Sequence, residues 1–200
     1  MPIDPSATFP VHPRPWAGAL LRRLGWTLDV APLPAAHCLI VVYPHTSNWD
    51  FPLGLLVRFA LGWPIGWIGK HTLFRWPVSG LLRRLGGIPV DRGQPGGFVE
   101  GMAGAFRSRD HLLVAIAPEG TRRRTAGWKS GFYRIARAAD VPVGLGFIDY
   151  RRKRLGIAAY VRLTGNVAAD MARIREVYAG MCGFRPDQAS PVVLPESERL

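Results

Sequence analysis

Cysteine is scarce in this chain of 200 residues: Cys38 and Cys182 are the only two, too few for a disulfide framework, and no zinc-ligand spacing surrounds them. Cys38 opens an apolar run and reads as a small core side chain. Lysine is almost missing, with Lys70, Lys129 and Lys153 alone. The formal charge of +12, from 26 Lys and Arg against 14 Asp and Glu, is therefore carried by arginine. Such a balance favours phosphate-bearing or otherwise anionic partners: nucleic acid, an anionic membrane or a phosphorylated substrate. A clean spanning helix is also lacking. The longest apolar stretch, Phe51 to Gly69, is charged only at Arg58, but Gly54, Gly62, Pro64 and Gly66 interrupt it. It reads as a helix, a turn at Leu61-Gly62-Trp63-Pro64 and a strand at Ile65–Ile68. Residues 1–15 carry Asp4 and several prolines without an apolar h-region, so no signal peptide is expected. No G-x-S-x-G, internal repeat or low-complexity linker occurs.

What is present is a series of apolar runs that end in polar clusters. Leu39-Ile40-Val41-Val42 reads as a buried strand and is followed by His45-Thr46-Ser47-Asn48-Trp49-Asp50. Positions five apart on one helix point roughly 140° away from each other, so His45 and Asp50 cannot pair within a regular helix. They can pair if His45 lies in the loop and Asp50 in the first helical turn, with Ser47 or Asn48 as N-cap. Asp50 would then hold one imidazole nitrogen and leave the other as a base. The plainer alternative is an aspartate favoured by the helix dipole beside a loop histidine.

Two further clusters repeat the pattern. Leu112 to Ala117 reads as a strand and leads into Pro118-Glu119-Gly120-Thr121-Arg122, with a guanidinium suited to phosphate. Between the two lies Gly86-Gly87-Ile88-Pro89-Val90-Asp91-Arg92, a short strand ending in an Asp-Arg pair. Lys70 follows another expected strand. It is not a P-loop lysine, because the glycine spacing is wrong and no Ser or Thr follows it. Gly127 to Gly131 reads either as a loop for donor phosphates or as a helix-start turn. His12, His37, His71 and His111 lack sequence partners and read as structural.

The remaining pattern is alternating strands and helices. Helices are expected at Val78–Leu85, Phe98–Arg107, Ser130–Ala139 and Ala168–Met181, and strands at Ile88–Val90, His111–Ala117 and Val141–Asp149. A strand at Leu155–Leu163 follows the basic turn Arg151-Arg152-Lys153-Arg154 and should form a hairpin with the one before it. The fold class is therefore α/β: a single domain with a largely parallel mixed sheet flanked by helices and an antiparallel hairpin near the C-terminus. Residues 14–24 form a basic amphipathic helix with Trp16, Ala19, Leu20 and Leu24 near one face. The motif-bearing core spans 38–150 within a domain of 1–182, and 183–200, polar and proline-containing, reads as a loose tail.

The ordered motifs resemble those of the glycerolipid acyltransferases, the family of lysophosphatidic acid and glycerol-3-phosphate acyltransferases. H-x-x-x-x-D is matched by His45 and Asp50, the second motif by Gly87 through Arg92, and E-G-T-R by Glu119, Gly120, Thr121 and Arg122. The fourth, an apolar strand with V-P, is met only by Val141-Pro142-Val143, without the family's second proline. The resemblance implies acyl transfer from a thioester, acyl-CoA or acyl carrier protein, to a hydroxyl of a lysophospholipid or glycerol phosphate. His45 would be the base and Asp50 its orienting partner. Arg92 and Glu119 to Arg122 would serve the acceptor phosphate, Glu119 by orienting Arg92 or binding an acceptor hydroxyl, with Lys70 a further candidate. A thioester is already activated, so no cofactor or metal is expected. The implied location is the inner face of the cell membrane, peripherally bound to anionic lipid. A thioesterase or lipid hydrolase would share the His-Asp pair. A nucleic-acid-binding module would explain the charge but not the strand-end clusters, and no nucleic-acid partner is expected.

Overall fold

The computed structural model describes residues 3–90 and 95–198. Among these the chain forms α1 (Pro5–Thr8), α2 (Pro15–Arg23), β1 (Thr27–Val30), β2 (His37–Tyr43), α3 (Asp50–Leu61), β3 (Ile65–Lys70) and α4 (Ser79–Arg84). It continues with β4 (Gly87–Val90), α5 (Pro95–Arg107), β5 (Leu112–Ile116), α6 (Gly131–Ala139), β6 (Val143–Asp149), β7 (Arg154–Val161) and α7 (Val167–Val177). The strands at Ile65, Ile88, His111 and Val141 expected from the sequence are found with small shifts of boundary. Strand β1, only half-buried, has no apolar run to announce it.

The unbroken apolar character of β2 follows from burial on both faces. Leu39, Val41 and Tyr43 point into a cluster with Met102 and Phe106 of α5, Phe132 and Ile135 of α6, and Met171 and Ile174 of α7. Cys38 and Ile40 point the other way, towards Leu33, Trp63 and Ile65. Leu21 of α2 and Leu53 of α3 pack with Ile148 and Leu155 on a third cluster. Burial pushes the Cys38 thiol up to about 12, which leaves it the inert core residue its sequence suggests.

The sheet order is β1-β7-β6-β2-β5-β3-β4. β6, β2, β5, β3 and β4 run parallel to one another, and β7 turns back antiparallel to β6 with β1 parallel to β7 beyond it. This is the single mixed sheet with an antiparallel pair that the pattern implies. The chain leaves β2 through α3 for β3 on one side and returns through β5 and α6 to β6 on the other. The carboxyl end of β2 is thus a topological switch point, where α/β sheets open a crevice for ligands.

The loose tail expected from residue 183 is a correction. Ser190 and Val192 are buried, and Leu194 packs against the main core. The Trp128 N–H donates to the Val193 carbonyl at 2.8 Å. Glu198 accepts from the Ser130 N–H at 2.9 Å and pairs with Lys129 at 2.8 Å. Polar and proline-rich composition does not release this segment, because its polar groups find partners in the body of the domain. The same contacts show the Gly127–Gly131 stretch to be a packed helix-start turn closed by Glu198.

Asp170 secures α7. Its carboxylate accepts from the Tyr133 hydroxyl at 2.6 Å, the Thr164 N–H at 2.9 Å and the Thr164 hydroxyl at 3.0 Å. Burial works to raise its pKa, but the hydrogen bonds from Tyr133 and Thr164 outweigh it and hold the group below the usual carboxylate range. A lowered carboxyl contributes stability above its unfolded value and loses it as pH falls through the folded one. Asp170→Asn should cost about 1.5–3 kcal/mol near neutrality. In urea unfolding the gap to the parent protein should narrow at about pH 3; an equal gap at both pH values would refute the assignment.

Candidate active site

The dyad is assembled by one carboxylate. α3 begins at Asp50, and Asp50 Oδ2 lies 3.1 Å from His45 Nδ1. The same oxygen accepts the backbone N–H groups of Thr46 at 2.9 Å and Ser47 at 2.8 Å. Asp50 Oδ1 accepts the Tyr150 hydroxyl at 2.7 Å. The chain therefore folds back between His45 and Asp50 as the spacing requires. Ser47, rather than capping with its side chain from outside the helix, accepts the Trp49 N–H at 3.1 Å. With Nδ1–H directed at Asp50, His45 Nε2 keeps its lone pair, and among the described residues nothing occupies it. The His45 side chain is 20% exposed and Asp50 only 2%: the imidazole meets solvent and its anchor does not.

Glu119 sits at the end of β5, beside β2, and is 1% exposed. Its Oε2 accepts the His45 backbone N–H at 2.7 Å, and its Oε1 accepts the Ser190 N–H at 2.8 Å. Burial raises its pKa above the ordinary value, opposed by these same hydrogen bonds. Both oxygens are committed to backbone groups. Glu119 thus braces the histidine loop, while Arg92, the partner the motif suggests for it, lies outside the described residues. Gly120 follows with φ of +69°, a left-handed conformation that favours glycine. The turn separates the motif's ends: Glu119 points inward, while Thr121 and Arg122 are exposed.

A cleft of about 170 Å³ adjoins the dyad loop, lined by Ser47, Asn48, Trp49, Arg122, Phe184 and Arg185. Arg122 is thus brought to the histidine loop. Lys70 is exposed at the end of β3, on the same sheet edge but two strands from β2, roughly 10 Å away sideways, and it does not line the cleft. Arg92 lies outside the described residues. Tyr150, Ser190 and Arg185 were not legible as site residues. Tyr150 ends an apolar strand as His45 and Glu119 do, and that position was its one available signal. Among the described residues no group of His, Cys, Asp and Glu side chains is gathered as a metal site needs.

The model of the acyltransferase family matches residues 29–144, more than half of the chain, and the chain belongs to that family. Within it, the fold is that of the lysophosphatidic acid (1-acyl-sn-glycerophosphate) acyltransferase PlsC from Thermotoga maritima, whose crystal structure superposes with a TM-score of 0.52. The two are 19% identical, over 84% of this chain and 74% of that one. The chain has no match among curated proteins.

The bracing by Glu119 has a measurable consequence. Glu119→Gln turns one acceptor into a donor facing a backbone N–H, at a cost of about 1–3 kcal/mol in stability. Turnover should fall with little change in acceptor KM. A rise confined to acceptor KM would instead make Glu119 a ligand for the acceptor.

Proposed function

We propose that the chain transfers a fatty acyl group from a thioester, acyl-CoA or acyl carrier protein, to a hydroxyl of a lysophospholipid or glycerol-phosphate acceptor. The observation that carries this reading is the His45–Asp50 pair with Nε2 unoccupied beside a cleft containing Arg122. Nε2 takes the acceptor's hydroxyl proton as the oxygen attacks the thioester carbonyl. The tetrahedral centre then collapses, the C–S bond breaks, and the imidazolium returns the proton to the departing thiolate. Asp50 holds the ring through Nδ1 and stabilises the imidazolium. General-base catalysis of this kind contributes about 10²–10⁴-fold, and alignment of two bound substrates on the order of 7–11 kcal/mol of barrier. No covalent acyl-enzyme is needed. An apolar cavity of about 90 Å³ under α3, lined by Val42, Leu55, Trp67 and Ile157, supports the reading as space for part of an acyl chain. A hydrolase would use the same pair on water; a cationic cleft beside the base favours transfer to an acceptor that carries an anion.

His45→Ala should remove most of the chemical step and leave donor binding nearly intact. Asp50→Asn should also be damaging, because the amide supports the wrong tautomer. Thiol release from acyl-CoA, followed with and without lysophosphatidate, separates transfer from hydrolysis. Near-normal turnover by His45→Ala would sink the assignment.

A bilayer-resident acceptor calls for a membrane-facing surface, and among the described residues no helix is long and apolar enough to cross a membrane. Trp76 is 92% exposed, with Leu73, Val78 and Leu81 exposed around it and Arg75, Arg83 and Arg84 in the same segment. This segment leaves β3 at the sheet edge that carries His45. Trp16, Leu20 and Leu24 are exposed along α2 beside Arg22 and Arg23. Trp63 is buried, and Trp67 packs on Phe74, so neither joins this exposed set. Arg152 and Arg154 are paired with Asp149 and Asp29. The reading is peripheral attachment to the inner face of the cell membrane through interfacial tryptophan and arginine, each arginine contributing about 1 kcal/mol near an anionic leaflet. Sedimentation with anionic vesicles should exceed that with neutral ones, weaken with salt, and fall further in a Trp76→Ala, Leu81→Ala double variant. Binding indifferent to lipid charge and salt would contradict the electrostatic part.

A further inference from the structure

The C-terminal segment from Cys182 to Ser190 is seated across the histidine loop. The Arg185 N–H donates to Thr46 Oγ1 at 3.1 Å, and the Ser190 N–H donates to Glu119. Tyr43 donates its hydroxyl to the Ser190 carbonyl at 3.0 Å. Gly183 is buried, and a Cβ there would lie 2.6 Å from Thr46 Oγ1 and 3.1 Å from the Pro44 Cβ. The segment is therefore docked at closer range than a side chain would permit. Phe184 and Arg185 consequently form one wall of the cleft that Arg122 also lines. Among the described residues, neither the Arg122 nor the Arg185 guanidinium takes part in an ion pair or hydrogen bond. Two like charges lining one small cleft repel each other unless an anion neutralises them.

We infer that Arg185 and Arg122 together form a seat for a phosphate monoester, the headgroup of the acyl acceptor. This rests on the acyl-transfer reading and deepens it. The cleft shares Thr46, Ser47, Asn48 and Trp49 with the dyad loop. A phosphate held there lies close to the base, as a short glycerol unit requires. The phosphates of a thioester carrier are separated from the reacting carbonyl by a long flexible arm and do not need a seat against the dyad. Two guanidinium forks match a dianionic phosphate monoester better than a diester with a single charge. Arg185 is thus a specificity residue: it selects acceptors whose phosphate is terminal.

The test uses the full chain with Arg185→Ala, Arg185→Lys and, as a control of equal charge, Arg173→Ala on the exposed part of α7. With lysophosphatidate as acceptor, Arg185→Ala should raise acceptor KM about tenfold or more, with donor KM unchanged. Arg185→Lys should recover only part of the loss, and Arg173→Ala none should be lost. With monoacylglycerol, which lacks the phosphate, Arg185→Ala should match the parent protein. Inhibition by inorganic phosphate should weaken in parallel with the lysophosphatidate effect. An unchanged lysophosphatidate KM, an equal loss for donor and acceptor, or an equal loss in Arg173→Ala would overturn the seat while leaving acyl transfer standing. Calorimetric titration with glycerol 3-phosphate separates the two ideas if no acyl transfer is found. Binding that Arg185→Ala weakens keeps the seat and removes the acyl-transfer reading; no binding to the parent protein, or binding indifferent to Arg185, removes the seat.

Discussion

The Asp50 carboxylate is the contact on which the site's geometry depends. It accepts from the His45 ring, from two successive backbone N–H groups and from Tyr150. These come from two places, the loop after β2 and the residue that follows β6, and they meet on the first residue of α3. A buried carboxylate needs several donors to offset its lost hydration. Here that requirement shapes the chain: the loop must curl so that its amides face Asp50, and in curling it presents the imidazole. Tyr150 completes the set, and its own pKa is driven well up by burial and then by the carboxylate it serves. The upward shift favours the protonated hydroxyl that donates to Asp50.

A second buried acid repeats the device one strand over. Glu119 follows β5, next to β2, and holds the histidine loop by its backbone rather than its ring. The two acids divide the work: Asp50 sets the tautomer and direction of the imidazole, and Glu119 sets the height of the loop above the sheet. Both act through hydrogen bonds to a segment whose own residues, Thr46 and Ser47, are buried. The loop is therefore held on both sides, and with it the direction of the imidazole.

Much of this was legible because the information is local. The apolar runs of β2, β5 and β6 are long and buried on both faces, so they stand out, and the strand-end rule then points to His45, Asp50, Glu119 and Arg122. The five-residue spacing excluded a helical pairing and so required the fold-back that is seen. What was hidden depends on contacts between distant segments. Glu119 reads as a ligand in sequence, and only the nearness of the His45 and Ser190 amides makes it a brace. β1 is short and half exposed, and its strand character comes from pairing with β7. Residues 183–198 look disordered by composition, yet their polar groups meet partners that no local pattern reveals. Trp63 and Trp67, equal in sequence to Trp16 and Trp76, are separated from them only by packing.

The strap seated on the histidine loop bears on when the enzyme comes into being during synthesis. Thr46 is joined to Arg185, a residue made 139 positions later, and Glu119 waits for Ser190, 71 positions on. The central strands can collapse while the chain is still being made, since their helical connections are short. One wall of the cleft and one partner of Glu119 are made only after the central strands. Contacts of such separation form late because the loop they close is entropically costly. An unfinished chain thus carries His45 on a loop that is only half held. The loop is held on both sides only once residues 182–190 have been made and have docked.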